Sequence, residues 1–108
     1  YNPVSVDNEG TIPTEYQLSQ NYPNPFNPST RINFSLPFES SVRLSVFNIL
    51  GQEVEVLVDN QIKSVGSYNL TFDAKNLPSG IYFYRLTASS TSEGDRNFVD
   101  VKKMMLIK

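Results

Sequence analysis

At 108 residues, 39% hydrophobic and 19% charged, the chain suits one domain that buries roughly two-thirds of its unfolded surface without a covalent staple. It contains no His and no Cys, which removes the usual general base, the thiol nucleophile, most zinc sites and any disulfide framework. A net charge of −2 argues against nucleic-acid binding, which needs a basic face and a readable motif.

Residues 1–15 hold Asp7, Glu9 and Glu15 without a cation and contain Pro3, Gly10 and Pro13. With no sustained periodicity they read as a linker from an upstream domain. Residues 16–108 read as one domain. Its entrance is Asn21–Thr30, NYPNPFNPST. Pro23, Pro25 and Pro28 fix φ, lack an amide donor and push Tyr22, Asn24 and Asn27 toward extended geometry. The segment is thus a stiff loop, and Tyr22 and Phe26 are its expected anchors on the core.

Alternating runs follow. Thr30–Leu36 points Ile32, Phe34 and Leu36 one way and Arg31, Asn33 and Ser35 the other, and Pro37 ends it. Ser41–Asn48 turns Val42, Leu44 and Val46 inward, with Phe47 on the opposite face. Glu53–Asp59 sets Val54, Val56 and Val58 against Glu53, Glu55 and Asp59. Leu50, Val54, Leu57 and Val58 would also fit one helical face, but the β-branched valines and Gly51 favour a strand. Ser67–Asp73 faces Tyr68, Leu70 and Phe72 inward. Ile81–Ala88 is apolar on both faces, with Tyr82, Tyr84, Leu86 and Ala88 on one and Ile81 and Phe83 on the other, the expected look of a central strand covered on both sides. A polar turn over Ser89–Asp95, with Gly94, leads to a last strand over Asn97–Lys108. Six strands, no helix and turns every 8–12 residues predict an all-β antiparallel β-sandwich of six to seven strands, the seventh drawn from the N-terminal segment, with a small barrel as the structural competitor.

Little chemistry is visible. The eleven acidic residues form no calcium loop, and Glu53 and Glu55 read as a solvated strand face. No metal, cofactor or catalytic site is expected. Asn69-Leu70-Thr71 matches a glycosylation sequon inside a strand and is given no role. Tyr22, Phe26, Phe38, Phe47 and Phe83 could form a carbohydrate-binding platform if exposed, against the simpler reading of core packing and loop anchoring. No apolar run approaches the roughly 18 residues of a membrane span and no charged-then-apolar leader is present, so an address for crossing an inner membrane lies elsewhere.

Four phrases together resemble the type A C-terminal sorting domain of the type IX secretion system: NYPNPFNPST at 21–30, VRLSVFNILGQEVEVLV at 42–58, LPSGIYFYRL at 77–86 and KKMMLIK at 102–108. A looser resemblance, through the middle phrases, is to the immunoglobulin-like module of flagellar hook-capping proteins, and it implies that the expected antiparallel β-sandwich is immunoglobulin-like. The first resemblance implies an address rather than a reaction. Domains of that family end larger secreted proteins and are recognised in the periplasm by an outer-membrane translocon. A sortase-like protease then removes them and attaches the cargo to the cell surface or releases it. By that analogy residues 1–15 contain or border the processing site. The family associates its last strand with translocon recognition, a role that falls here on Lys102, Lys103, Met104, Leu106 and Lys108. The competing reading of those residues is a core strand with lysines guarding against edge pairing. Pro23, Asn24, Pro25, Phe26, Asn27, Pro28, Gly51, Gly80 and Tyr82 also belong to the family's phrases. On their own chemistry Gly51 and Gly80 suit turns and Tyr82 fills the core. The polar turn before Asp100 is longer than the family pattern leads one to expect. An accessory or carbohydrate-binding module of an extracellular enzyme is the alternative function, and oligomeric state is left open.

Overall fold

Period-two alternation builds seven strands and no helix among the residues described by the computed structural model, which are 12–92, 94 and 96–108. Most of the 1–15 linker therefore lies outside the described residues. The strands are β1 (Gln17–Leu18), β2 (Ser29–Leu36), β3 (Ser40–Phe47), β4 (Glu53–Lys63), β5 (Gly66–Asp73), β6 (Gly80–Ser90) and β7 (Asn97–Leu106). They divide into a three-stranded sheet, β1-β2-β5, and a four-stranded sheet, β4-β3-β6-β7, with antiparallel pairing throughout. β1 and β2 are joined within one sheet, β3–β4 and β6–β7 are hairpins, and the β2–β3, β4–β5 and β5–β6 connections cross between sheets, as in an immunoglobulin-like sandwich. The short β1 supplies the seventh strand.

The inner faces are the ones the alternation marks. Ile32, Phe34 and Leu36 of β2 meet Val42, Leu44 and Val46 of β3, Tyr82, Tyr84, Leu86 and Ala88 of β6, and Met104 and Leu106 of β7, all buried. Each large side chain removed from water contributes about 1.5–3 kcal/mol, offset by the entropy of ordering the chain.

β4 departs from the expectation. Val54 and Val58 turn toward the core as predicted, but Val56, predicted inward with them, is 36% exposed and Leu57 takes its place. Leu44 pairs with Val58 but Ser45 with Val56, and Val46 pairs with Glu55 but Phe47 with Glu53. Leu57 and Val54 are thus extra residues, and each β-bulge flips the phase of alternation. A third irregularity lies between Val42 and Leu44, where Asn60 takes a φ of 54°. The apparent helical spacing of 54, 57 and 58 is the trace of these bulges.

β6 is flanked by β3 and β7 as expected, but only one of its faces is covered. Ile81 and Phe83 are half-buried and Arg85 is exposed, because the second sheet packs on the inner face alone. Cover on the outer face is local. The Arg85 guanidinium sits 4.7 Å from the Phe47 ring centroid, and Phe47 is the cross-strand neighbour of Phe83.

Tyr84 is buried in the core, and its hydroxyl donates to the Ser19 carbonyl at 2.6 Å. Burial pushes its pKa up to about 12, with a smaller push from Asp100. Burial also raises that of Tyr82. A phenol whose folded pKa lies above the unfolded value of about 10 keeps its contribution below that value and loses it as pH rises through the folded pKa. Stability should therefore fall between about pH 10 and 12. Tyr84→Phe should cost about 1 kcal/mol at neutral pH through the lost hydrogen bond and flatten that alkaline slope, leaving the part due to Tyr82. Urea melts at pH 8, 10 and 11.5 read both effects, and an unchanged slope in Tyr84→Phe would contradict the assignment.

Candidate recognition surface at one pole of the sandwich

The chain enters at the pole where β3 and β7 begin. There the Tyr16 ring stacks on Phe98 with centroids 5.5 Å apart, and its hydroxyl meets Ser40 Oγ at 2.8 Å. It then runs beside β2 through the pairs Gln17–Ser35 and Leu18–Phe34 and an isolated bridge of Tyr22 to Arg31. This path delivers the proline-rich segment to the opposite pole.

Prolines cannot extend the ladder, so side-chain amides replace it. The buried Asn21 donates through Nδ2 to Thr30 Oγ1 at 3.0 Å and to the Pro23 carbonyl at 3.2 Å. Thr30 Oγ1 donates to the same carbonyl at 2.8 Å, and Gln20 Nε2 donates to Asn21 Oδ1 at 2.7 Å. The peptide bonds before Pro23, Pro25 and Pro28 are cis.

The two predicted anchors behave differently. Phe26 is buried, with its ring centroid 6.1 Å from that of Phe72, whereas Tyr22 is 78% exposed. The bridge to Arg31 sets the alternation, turning Asn21 inward and Tyr22 outward. One ring anchors the loop, and a buried amide does the rest.

The loop is also a strap across the end of β7. Phe26 N–H donates to the Met105 carbonyl at 2.9 Å, and Ile107 N–H donates to the Phe26 carbonyl at 3.0 Å, a parallel bridge of Phe26 to Leu106. Asn24 Oδ1 accepts from Met105 N–H at 3.0 Å, and Gln20 Nε2 donates to the Lys103 carbonyl at 2.7 Å. Because Phe26 also packs on Phe72 of β5, it ties the terminal strand to the opposite sheet.

Other parts of the phrases gather at the same pole. Lys108 N–H donates to Ser79 Oγ at 3.0 Å and its Nζ to the Lys75 carbonyl at 2.6 Å, while Ala74 N–H donates to the Pro28 carbonyl at 2.8 Å. Gly80 opens β6, and the buried Tyr82 donates its hydroxyl to the Pro78 carbonyl at 2.7 Å. In the β3–β4 turn, Asn48 Oδ1 accepts from Leu50 and Gln52 N–H, and Gly51 takes a φ of 83°, a conformation that favours glycine. A cleft of about 360 Å³ between this turn and the start of β6 is walled by Ile49, Leu50, Val54, Leu77, Pro78 and Ile81.

Of the residues assigned to recognition, Lys103 and Lys108 are exposed, and Lys102 is half-buried with its Nζ 3.9 Å from Asp100 Oδ2. Met104 and Leu106 lie in the core. A partner reading the folded domain meets the lysines, Met105 and Ile107, and does not meet those two side chains. Pro23, Asn24, Pro25, Asn27 and Pro28 are exposed around the buried Phe26. Sequence reasoning missed Gln20, Asn21 and Thr30. Their signal was available: amides and a hydroxyl flanking three prolines are the groups able to satisfy a backbone that prolines leave without a ladder.

The remaining candidates form no chemical site. Glu53 is held by Arg43, which also reaches Asp59 at 2.6 Å, while Glu55 is exposed. Among the described residues no three His, Cys, Asp or Glu come together to hold a metal, and no helix is long and apolar enough to cross a membrane. Of the five candidate platform aromatics only Tyr22 is exposed. Phe38 and Phe47 lie beneath Arg96 and Arg85, Phe83 is half-buried and Phe26 is in the core.

Comparison with curated proteins finds no match. The family model described as the secretion system C-terminal sorting domain matches residues 20–100, from the first residue of the strap to Asp100 in β7. With most of its length matched and the family's phrases folded into one antiparallel sandwich, the chain belongs to the C-terminal sorting domain family of the type IX secretion system.

Proposed function

We propose that the domain is recognised in the periplasm, as a folded unit, by the outer-membrane translocon of the type IX system, through the pole where the strap and the end of β7 meet. Membership of the family makes it a C-terminal signal for secretion to the cell surface or beyond. The observation that carries the finer reading is the hydrogen-bonded union of the entrance phrase with the terminal phrase, 80 residues apart, at the pole away from where the chain enters. Two phrases that serve one surface favour recognition of shape over recognition of a linear tail. Cargo attached before Tyr16 would leave that pole clear.

The same reading has a sortase-like protease cut in the segment before Tyr16, with the cargo attached to an anionic lipopolysaccharide or released. Ile12, Thr14 and Glu15 are exposed and outside any strand, which suits a protease that needs accessible backbone next to a protected domain. The domain itself serves as an address and performs no catalysis. Fusing residues 16–108 after a periplasmic reporter should drive its export in a host with this machinery. Retention of the intact fusion in the periplasm would sink the proposal.

A further inference from the structure

The four-stranded sheet ends in β4 on one side and β7 on the other. β4 is blunted by three register shifts, whereas β7 pairs with β6 from Gly80–Leu106 to Ser89–Asn97 without any. The bonds to the strap show which backbone groups of β7 point away from β6: those of Lys103, Met105 and Ile107. By the period of two, Val99 and Val101 turn their N–H and C=O groups the same way. The strap reaches only as far as Lys103, and although β1, on the edge of the other sheet, packs beside β7, no strand among the described residues pairs with β7 on that side. Asp100 Oδ1 accepts from Val101 N–H at 2.9 Å. On the outer face of this open stretch Val99 is 64% and Val101 49% exposed. An open edge bearing apolar side chains is a template for another strand.

We propose that the Val99–Lys103 edge of β7 pairs with the same edge of a second copy, antiparallel about a two-fold axis at Val101, joining two four-stranded sheets into one of eight. Charge complementarity selects this occupant. About that axis Val101 faces its own counterpart, and Asp100 faces Lys102 of the partner subunit on both sides. Asp100 and Lys102 point to the same face of β7, 3.9 Å apart within one chain and each about a third exposed. In the pair they exchange partners across the axis, and Val101 N–H is released for the ladder. Strands without this alternation of acid, valine and base would leave one of the two charges opposite nothing or opposite its own sign, which is destabilising. The strap confines pairing to five residues, giving about six backbone hydrogen bonds and an interface below the roughly 1,200 Å² of stable complexes. The dimer is therefore weak and concentration-dependent. It meets the strap pole only at Lys103, whose carbonyl already accepts from Gln20, and does not rest on the translocon reading.

Sedimentation velocity of the full chain from about 10 μM to about 1 mM, a range suited to weak interfaces, tests it. Dimer should appear toward the upper end. Asp100→Lys and Lys102→Asp should each weaken it by about tenfold or more, while an equimolar mixture of these two variants, or the double variant, restores it. Val101→Pro gives a second arm, because the N–H it removes faces away from β6 and the β6 ladder is untouched. This variant should stay folded and monomeric. Monomer alone at the highest concentration would overturn the proposal. So would a dimer indifferent to Asp100→Lys or Val101→Pro in variants that melt like the parent, or a mixture of folded single variants that fails to associate.

Discussion

Replacing Phe26 with alanine is expected to cost about 3–5 kcal/mol, a large part of the 5–15 kcal/mol that holds a typical domain. The ring is buried against Phe72 of the opposite sheet, so its removal leaves a cavity that the two sheets cannot close independently. A second cost follows from the backbone. Phe26 N–H and C=O hold Met105 and Ile107, and a strap without its anchoring ring must order itself for those bonds alone. Amide exchange at Ile107 should accelerate more than exchange in the middle of β6, because the strap opens before the sandwich does. Tyr22→Ala, four residues away on the same strap, should change stability by no more than about 0.5 kcal/mol, since the Tyr22 ring is exposed. Urea midpoints of the two variants decide the matter, and equal losses would contradict the assignment of a single anchor.

The contrast between these rings also marks how far the fold could be read from residue order. Strands with one buried face announce themselves: Ile32, Phe34 and Leu36, then Val42, Leu44 and Val46, alternate because the pleat alternates. β4 does not, since each bulge resets the phase and the two at Val54 and Leu57 together imitate a helical period. At β6 the apolar outer face suggested cover by another layer, whereas Phe83 lies beside Phe47 with Arg85 over the Phe47 ring, contacts that no periodicity encodes. The strap was least visible as a partner of β7. Its bonds to β7 run through main-chain groups and the side-chain amides of Gln20 and Asn24, some 80 residues from their partners, and such bonds leave no pattern in composition or spacing. Resemblance to the family picked out both phrases as important, and only the fold showed that they touch.

That contact changes which experiment can identify the recognised residues. Deleting Lys102–Lys108 is expected to abolish export, but it also removes Met104 and Leu106 from the core, together with the bonding partners of Phe26. Two lost core side chains at about 2–5 kcal/mol each would unfold a domain of ordinary stability, so the deletion would report folding rather than recognition. Glutamine in place of Lys103 and Lys108 separates the two. The Lys103 side chain is exposed, and Lys108 contributes an exposed hydrogen bond to the Lys75 carbonyl. The double variant should keep its thermal midpoint to within an effect of about 1 kcal/mol. If the translocon reads the cations at the strap pole, two lost charge-assisted contacts worth about 1–2 kcal/mol each should lower export by tenfold or more. Normal export of the folded double variant would exclude the lysines and shift attention to the cleft walled by Ile49, Leu50 and Leu77 at the same pole. Tryptophan at Ile49, which is largely exposed and whose replacement should spare the core, would then be the substitution that blocks recognition without unfolding the signal.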